Sequence, residues 1–76
     1  MKRKSFAIKC QGLPIAVCHS WNARHKYIVR HVRTFGGRWE LATSSGERDT
    51  DGWCRGVVLW QAQDGRTAEF RIERVA

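Results

Sequence analysis

Residues 55–75, RGVVLWQAQDGRTAEFRIERV, carry the clearest structural signal in the chain. Residues 55–63 and 67–75 both predict strands: the first contains the apolar run 57–60, and apolar and polar residues alternate through 67–73 of the second, as in a strand with one buried face. Between them, Asp64-Gly65 is a strong hairpin signal, because a type I′ turn needs positive φ at both central residues. The stretch therefore predicts an antiparallel β-hairpin.

A two-residue turn at Asp64-Gly65 would also determine which side chains of this hairpin face the core. It places Leu59 opposite Phe70 and Val57 opposite Ile72, and these four residues form the predicted core face. Side chains alternate between the two faces of a strand, so the neighbouring residues would face solvent. The predicted solvent face combines apolar and charged residues: Val58, Trp60, Glu69, Arg71 and Glu73.

A tryptophan among charges on a solvent face is typical of a contact surface. Val58, Trp60 and Arg71 are therefore candidate residues for binding a protein partner. The alternative is that a loop or the N-terminal segment folds over them. A protein-binding inhibitor or adaptor, of the kind found in phages and mobile elements, is one function that such a surface would support.

The rest of the chain also predicts strands and turns. Turns are predicted at Gln11-Gly12-Leu13-Pro14 and at Gly36-Gly37, and the polar residues 44–52 predict an exposed loop. Residues 21–26 predict a loop or one helical turn capped by Ser20. The predicted strands are residues 5–10, 14–20, 27–33 and 38–43.

Several of these strands have a predicted core face. The predicted inward residues are Phe6, Ile8 and Cys10 in the first strand and Ile15 and Val17 in the second. In residues 27–33 either set of alternating side chains could face inward. In the strand at 38–43, Trp39, Leu41 and Thr43 share one face. The expected fold is a single domain, residues 1–76, that is mostly β with little helix. It is a five- to six-stranded antiparallel barrel of the SH3, Sm or OB type, or a strongly twisted sheet.

Charge is distributed unevenly along the chain. Residues 1–39 contain nine Lys and Arg and no acid, whereas residues 40–76 contain five Arg and all seven acids. The net charge of +7 therefore arises from the N-terminal half. Segregated positive charge attracts polyanions, so nucleic acid is the expected partner.

Aromatic side chains accompany these basic residues. Small β domains bind single strands by stacking bases on aromatic rings while Lys and Arg contact the backbone. We therefore expect RNA, single-stranded DNA or a nucleoprotein to bind this half of the chain. The candidate nucleic-acid-binding residues are Trp21, Arg24, His25, Lys26, Arg30, Arg33 and Arg38.

Spacing argues against a metal site and against catalysis. Cys10 and Cys18 lie too far apart for a zinc-binding pair, and Cys54 is remote from both. No cofactor motif and no nucleophile–base pattern is present, so a non-enzymatic module is expected, with a small ribonuclease toxin using His and Arg as the alternative. Polar residues interrupt the apolar run after the basic start, so neither a signal peptide nor a membrane span is expected. The three cysteines lack the spacing of a disulfide framework, and a cytoplasmic protein is therefore predicted.

The last strand, Phe70-Arg71-Ile72-Glu73-Arg74-Val75 after Asp-Gly, resembles the closing strand of WYL domains. These are Sm-like barrels of bacterial regulators and defence-associated proteins, described as sensing nucleic acids or nucleotides. The resemblance covers roughly the last twenty residues. It implies ligand contacts from Arg71 and Arg74. The family's Trp-Tyr-Leu tripeptide is absent, and Ala68 stands where the family has Arg.

Overall fold

A computed structural model of the chain describes residues 4–75. The elements in chain order are β1 (Phe6–Cys10), β2 (Leu13–Cys18), α1 (Arg24–Arg33), β3 (Trp39–Asp49), β4 (Gly52–Ala62) and β5 (Thr67–Arg74). The strands form one antiparallel sheet in the order β2-β1-β5-β4-β3. The mostly β antiparallel fold is thus confirmed. The sheet ends at two edge strands, β2 and β3, and is not closed into a barrel.

The first hairpin turns where predicted, but the turn contains only Gln11 and Gly12, because Leu13 and Pro14 belong to β2. Gln11 and Gly12 both have positive φ, 52° and 84°, and Cys10 pairs with Leu13 across them, as in a type I′ turn. Phe6, Ile8 and Cys10 are buried, as predicted.

The predicted core face of β2 is wrong at Val17, which is 54% exposed. The register shifts between Ile8 and Lys9, so that Ala16 pairs with Ile8 and Cys18 with Phe6. This bulge turns Ala16 and Cys18 toward the core and Val17 away from it.

Residues 27–33, predicted as a strand, belong to α1 instead. Ile28 and Val32, the two buried residues of the helix, lie four positions apart and so share one helix face. Ser20 forms the predicted capped turn just before it, because its Oγ accepts a hydrogen bond from the Ala23 N–H at 3.2 Å. The helix packs on one side of the sheet, which we call the helix-side face; the other side is the outer face.

The hairpin between β4 and β5 forms, but its predicted register is wrong by one residue. The loop has three residues rather than two, because the Ala62 N–H donates to the Arg66 carbonyl at 2.8 Å. Gly65, at φ 94°, occupies the left-handed position that such loops require. Phe70 therefore pairs with Val58 and not with Leu59.

The predicted loop at 44–52 is mostly strand. β3 and β4 remain paired as far as Asp49 and Gly52, and the turn between them is short. The β3 part of this stretch is exposed, as predicted, but its backbone groups bond to β4 rather than to water.

The core lies between α1 and the helix-side face of the sheet. The buried residues come from α1 and from all strands except β3: Phe6, Ile8, Cys10, Cys18, Ile28, Val32, Val58, Trp60, Ala62, Ala68, Phe70 and Ile72. Trp39 and Trp21 pack against this core while half-buried.

Candidate nucleic-acid interface

The solvent side of α1 brings three of the predicted residues together. Lys26, Arg30 and Arg33 follow a spacing of four and three positions, which places them on one helix face. All three are exposed, whereas Ile28 and Val32 face the core. We call Lys26, Arg30 and Arg33 the basic ridge.

The basic ridge forms no ion pair within residues 4–75. The ion pairs of this part of the chain all use arginines from the second half: Arg55–Glu47 at 2.6 Å, Arg66–Asp64 at 2.8 Å, Arg71–Glu69 at 3.0 Å, and Arg74 with Asp49 at 2.9 Å and Asp51 at 3.9 Å. The second half therefore neutralises much of its own charge. The ridge keeps its positive potential available to an anion.

Trp21 and Arg24, also predicted to bind nucleic acid, are engaged within the protein. The Trp21 ring stacks on Trp53 with centroids 5.2 Å apart and planes 9° apart. Arg24 lies 4.4 Å above the Trp21 ring and donates to the Trp21 carbonyl at 2.8 Å. Burial lowers the pKa of the Arg24 guanidinium from its ordinary value. Neither side chain is thus placed as a free platform for a base.

A pair of glycines accommodates Trp21. Gly46 and Gly56 are directly opposite each other in β3 and β4. A Cβ atom at Gly56 would lie 2.6 Å from the Ser45 carbonyl oxygen and 2.8 Å from Cη2 of Trp21. Glycines inside strands often mark such close approaches, and this signal is present in the sequence.

His25 and Arg38, the remaining predicted residues, are both exposed. The His25 ring lies 5.9 Å from the Trp60 ring, so it borders the core where β4 meets α1. Arg38 directly precedes β3, and its carbonyl accepts a hydrogen bond from the Gln63 N–H at 3.2 Å.

Arg66, which the sequence did not single out, fixes the end of the helix. Its guanidinium donates to the carbonyls of Phe35 at 3.0 Å and Gly36 at 2.9 Å. Asp64 holds the same guanidinium through Nε at 2.8 Å. These bonds satisfy carbonyls that follow α1 and tie the helix to the β4–β5 loop.

The candidate protein-binding surface is absent, because Val58 is only 5% and Trp60 only 9% exposed. The one-residue register difference moves both side chains to the helix-side face, where they join the core with Val32. Both side chains are covered, but they lie in the core beneath α1, and within residues 4–75 neither a loop nor the N-terminal segment folds over them as the alternative expected. Arg71 stays exposed and pairs with Glu69.

The cysteines are all free, and Cys10 and Cys18 are buried. Burial raises the pKa of both thiols. Within residues 4–75, no three His, Cys, Asp or Glu side chains converge to hold a metal ion. The same part of the chain has no helix long and apolar enough to cross a bilayer.

Comparison of the chain with protein-family models, with curated proteins and with solved structures found no match. The resemblance to WYL domains thus stays a prediction. The two arginines that this resemblance highlights, Arg71 and Arg74, both form ion pairs, and Arg74 is half-buried.

Proposed function

We propose that this protein binds nucleic acid, RNA or single-stranded DNA, through the basic ridge of α1. The observation that carries the proposal is the contrast in pairing: the ridge has three exposed cations without a carboxylate partner in residues 4–75. Four arginines of the second half, Arg55, Arg66, Arg71 and Arg74, do have such partners. Phosphates are the anions that a row of Lys and Arg engages most effectively.

The binding mode is contact with the sugar–phosphate backbone. Lys26 and Arg33 are seven residues apart, so the ridge extends about 10 Å along the helix axis. That length suits contact with neighbouring phosphates of one strand. Because Trp21 is already stacked on Trp53, it does not supply the aromatic platform expected from the sequence.

The test compares two triple charge reversals with the same change in net charge. One is Lys26→Glu/Arg30→Glu/Arg33→Glu on the ridge; the other is Lys9→Glu/Arg55→Glu/Arg71→Glu on the outer face. Arg24 is left intact because it packs on Trp21. Exposed ion pairs contribute only about 0–1 kcal/mol, so the outer-face variant should fold.

Fluorescence anisotropy with labelled single-stranded RNA and DNA 12-mers, measured at several salt concentrations, gives the result. The wild type should bind with a steep salt dependence. Each phosphate contact contributes about 0.7 to the slope of log K against log salt. The slope of the ridge variant, which lacks three contacts, should therefore be smaller by about 2. Equal loss in the outer-face variant would attribute binding to net charge alone. A wild type without salt-sensitive binding would refute the proposal.

A further inference from the structure

A groove opens beside the basic ridge, between α1 and the edge of the sheet at β3. It has a volume of about 260 Å³ and is mainly apolar, with one cation. The residues that line it are Val29, Val32, Arg33, Gly37, Trp39 and Trp60.

Two tryptophans form the sheet side of this groove, and both are held in place. The Trp39 indole N–H donates to the Gly36 carbonyl at 2.9 Å, and its ring packs 5.4 Å from Phe35. Trp60 belongs to the buried core. The half-buried Trp39 ring suits stacking against a flat aromatic ligand.

The cation of the groove connects it to the proposed phosphate contacts. Arg33 lines the groove and is also the last residue of the basic ridge. A strand that follows the ridge with its phosphates therefore passes the mouth of an aromatic-walled groove. The charge complements a phosphate, and the walls complement the base attached to it.

We propose that the groove takes one unstacked base of the bound single strand, with the adjacent phosphate on Arg33. This inference rests on the proposed function and adds base contact to it. Stacking against tryptophan tolerates any base, so the groove gives a preference for single strands over duplexes without a sequence preference.

The Trp60 indole N–H points to a second contact. It is buried and has no hydrogen-bond partner among the described residues. A buried donor without an acceptor is destabilising, and bases carry carbonyl and ring-nitrogen acceptors. The N–H is nearly inaccessible, so the groove has to widen for a base to reach it.

The test uses two strands that differ only in their bases: an oligothymidine 12-mer and an abasic 12-mer with the same backbone. The wild type should bind oligothymidine about tenfold more tightly at a fixed salt concentration. Both strands should show the same salt slope, because the phosphate contacts are shared.

A groove-filling variant isolates the site. Val29→Met extends a longer side chain into the groove and should remove the preference for oligothymidine while leaving binding of the abasic strand unchanged. Val17→Met is the matched control, because Val17 is 54% exposed on β2 and does not line the groove. It should keep the preference.

Indole N–H signals in NMR spectra of the wild type provide a readout that does not depend on a variant folding. Oligothymidine should shift the signals of Trp39 and Trp60, and the abasic strand should not. Trp53, seven residues from Trp60 along β4 and so roughly 23 Å away, should be unaffected.

Equal binding of the two strands by the wild type would overturn the groove proposal and leave the phosphate contacts standing. Binding of neither strand would overturn both. A dimer in sedimentation that Val29→Met dissociates would assign the groove to a second copy of the chain instead.

Discussion

The two faces of β4 carry similar side chains that differ in burial. Val58 and Trp60 point to the helix-side face and are buried, whereas Val57 and Leu59, their immediate neighbours, lie on the outer face and stay half-exposed. All four are apolar, so composition does not separate the faces. What separates them is α1, which covers one side of the sheet only, and the length of the β4–β5 loop.

The same contrast extends to charge. On the outer face, Arg55 and Arg71 form exposed ion pairs with carboxylates. The basic ridge on α1 has no such partners in the part of the chain that the structure describes. Within residues 4–75, the outer face thus carries paired arginines, whereas the cations of the basic ridge are unpaired.

The largest effect on stability is expected when the neighbours Trp60 and Leu59 are each replaced by alanine. Trp60→Ala should lower the free energy of unfolding by about 3–5 kcal/mol, because it leaves a large cavity in the core. Leu59→Ala should cost about 1 kcal/mol, because the side chain is half-exposed. Urea denaturation followed by circular dichroism measures both. The opposite ranking would favour the two-residue turn and exchange the two faces.

A somewhat smaller effect is expected where Trp21 approaches the sheet. Gly56→Ala should destabilise the protein by about 1–3 kcal/mol, because its Cβ would overlap the Ser45 carbonyl and Trp21. Thermal unfolding measures the loss, and near-ultraviolet circular dichroism reports on the stack of Trp21 with Trp53. Ser45→Ala, an exposed change on the paired strand, is the control and should stay within about 0.5 kcal/mol. A Gly56→Ala variant as stable as the wild type would show that Trp21 is not packed against this glycine.

The reactivity of the cysteines can be used to compare the buried core with the end of the β3–β4 hairpin, without altering stability. Cys10 and Cys18 are buried with thiol pKa values raised by burial, whereas Cys54 is half-buried near the end of the β3–β4 hairpin. In the native protein at pH 8, iodoacetamide should modify Cys54 first, and the other two should react at comparable rates only in urea. Mass spectrometry of timed samples distinguishes them. Early modification of Cys10 would contradict the burial of β1 against the helix.

The smallest effect concerns the loop that sets the register. The hydrogen bonds and charge of Arg66 lower the pKa of Asp64, so this carboxylate stabilises the fold at neutral pH. Because its pKa is lower in the folded state, that contribution is present above about pH 4 and is lost as the pH falls through the folded value. Asp64→Asn should therefore melt slightly below the wild type at pH 7, and the difference should vanish in acid. Glu40→Gln, at an exposed acid with no ion pair in residues 4–75, should melt like the wild type at pH 7. A difference for Asp64→Asn that persists at pH 2 would mean that its charge is not involved.

Local sequence patterns were sufficient where a single feature decides the structure. Alternation predicted the burial of Phe6, Ile8, Phe70 and Ile72, and glycine and proline marked the turn that begins at Gln11. The uneven charge was evident from residue counts alone. These features depend on neighbours in the chain, so they need no knowledge of the fold.

Tertiary structure decided the features for which local patterns allowed two answers. Residues 27–33 were predicted as a strand, but a helix forms because Ile28 and Val32 then share one face that covers the sheet. The Asp64-Gly65 turn accommodates two or three residues, and the longer loop accompanies burial of the large Trp60 ring rather than Leu59. Contacts between residues distant in sequence also engage Trp21 and, within residues 4–75, leave the basic ridge without an ion pair. Burial and charge pairing depend on which elements meet in space.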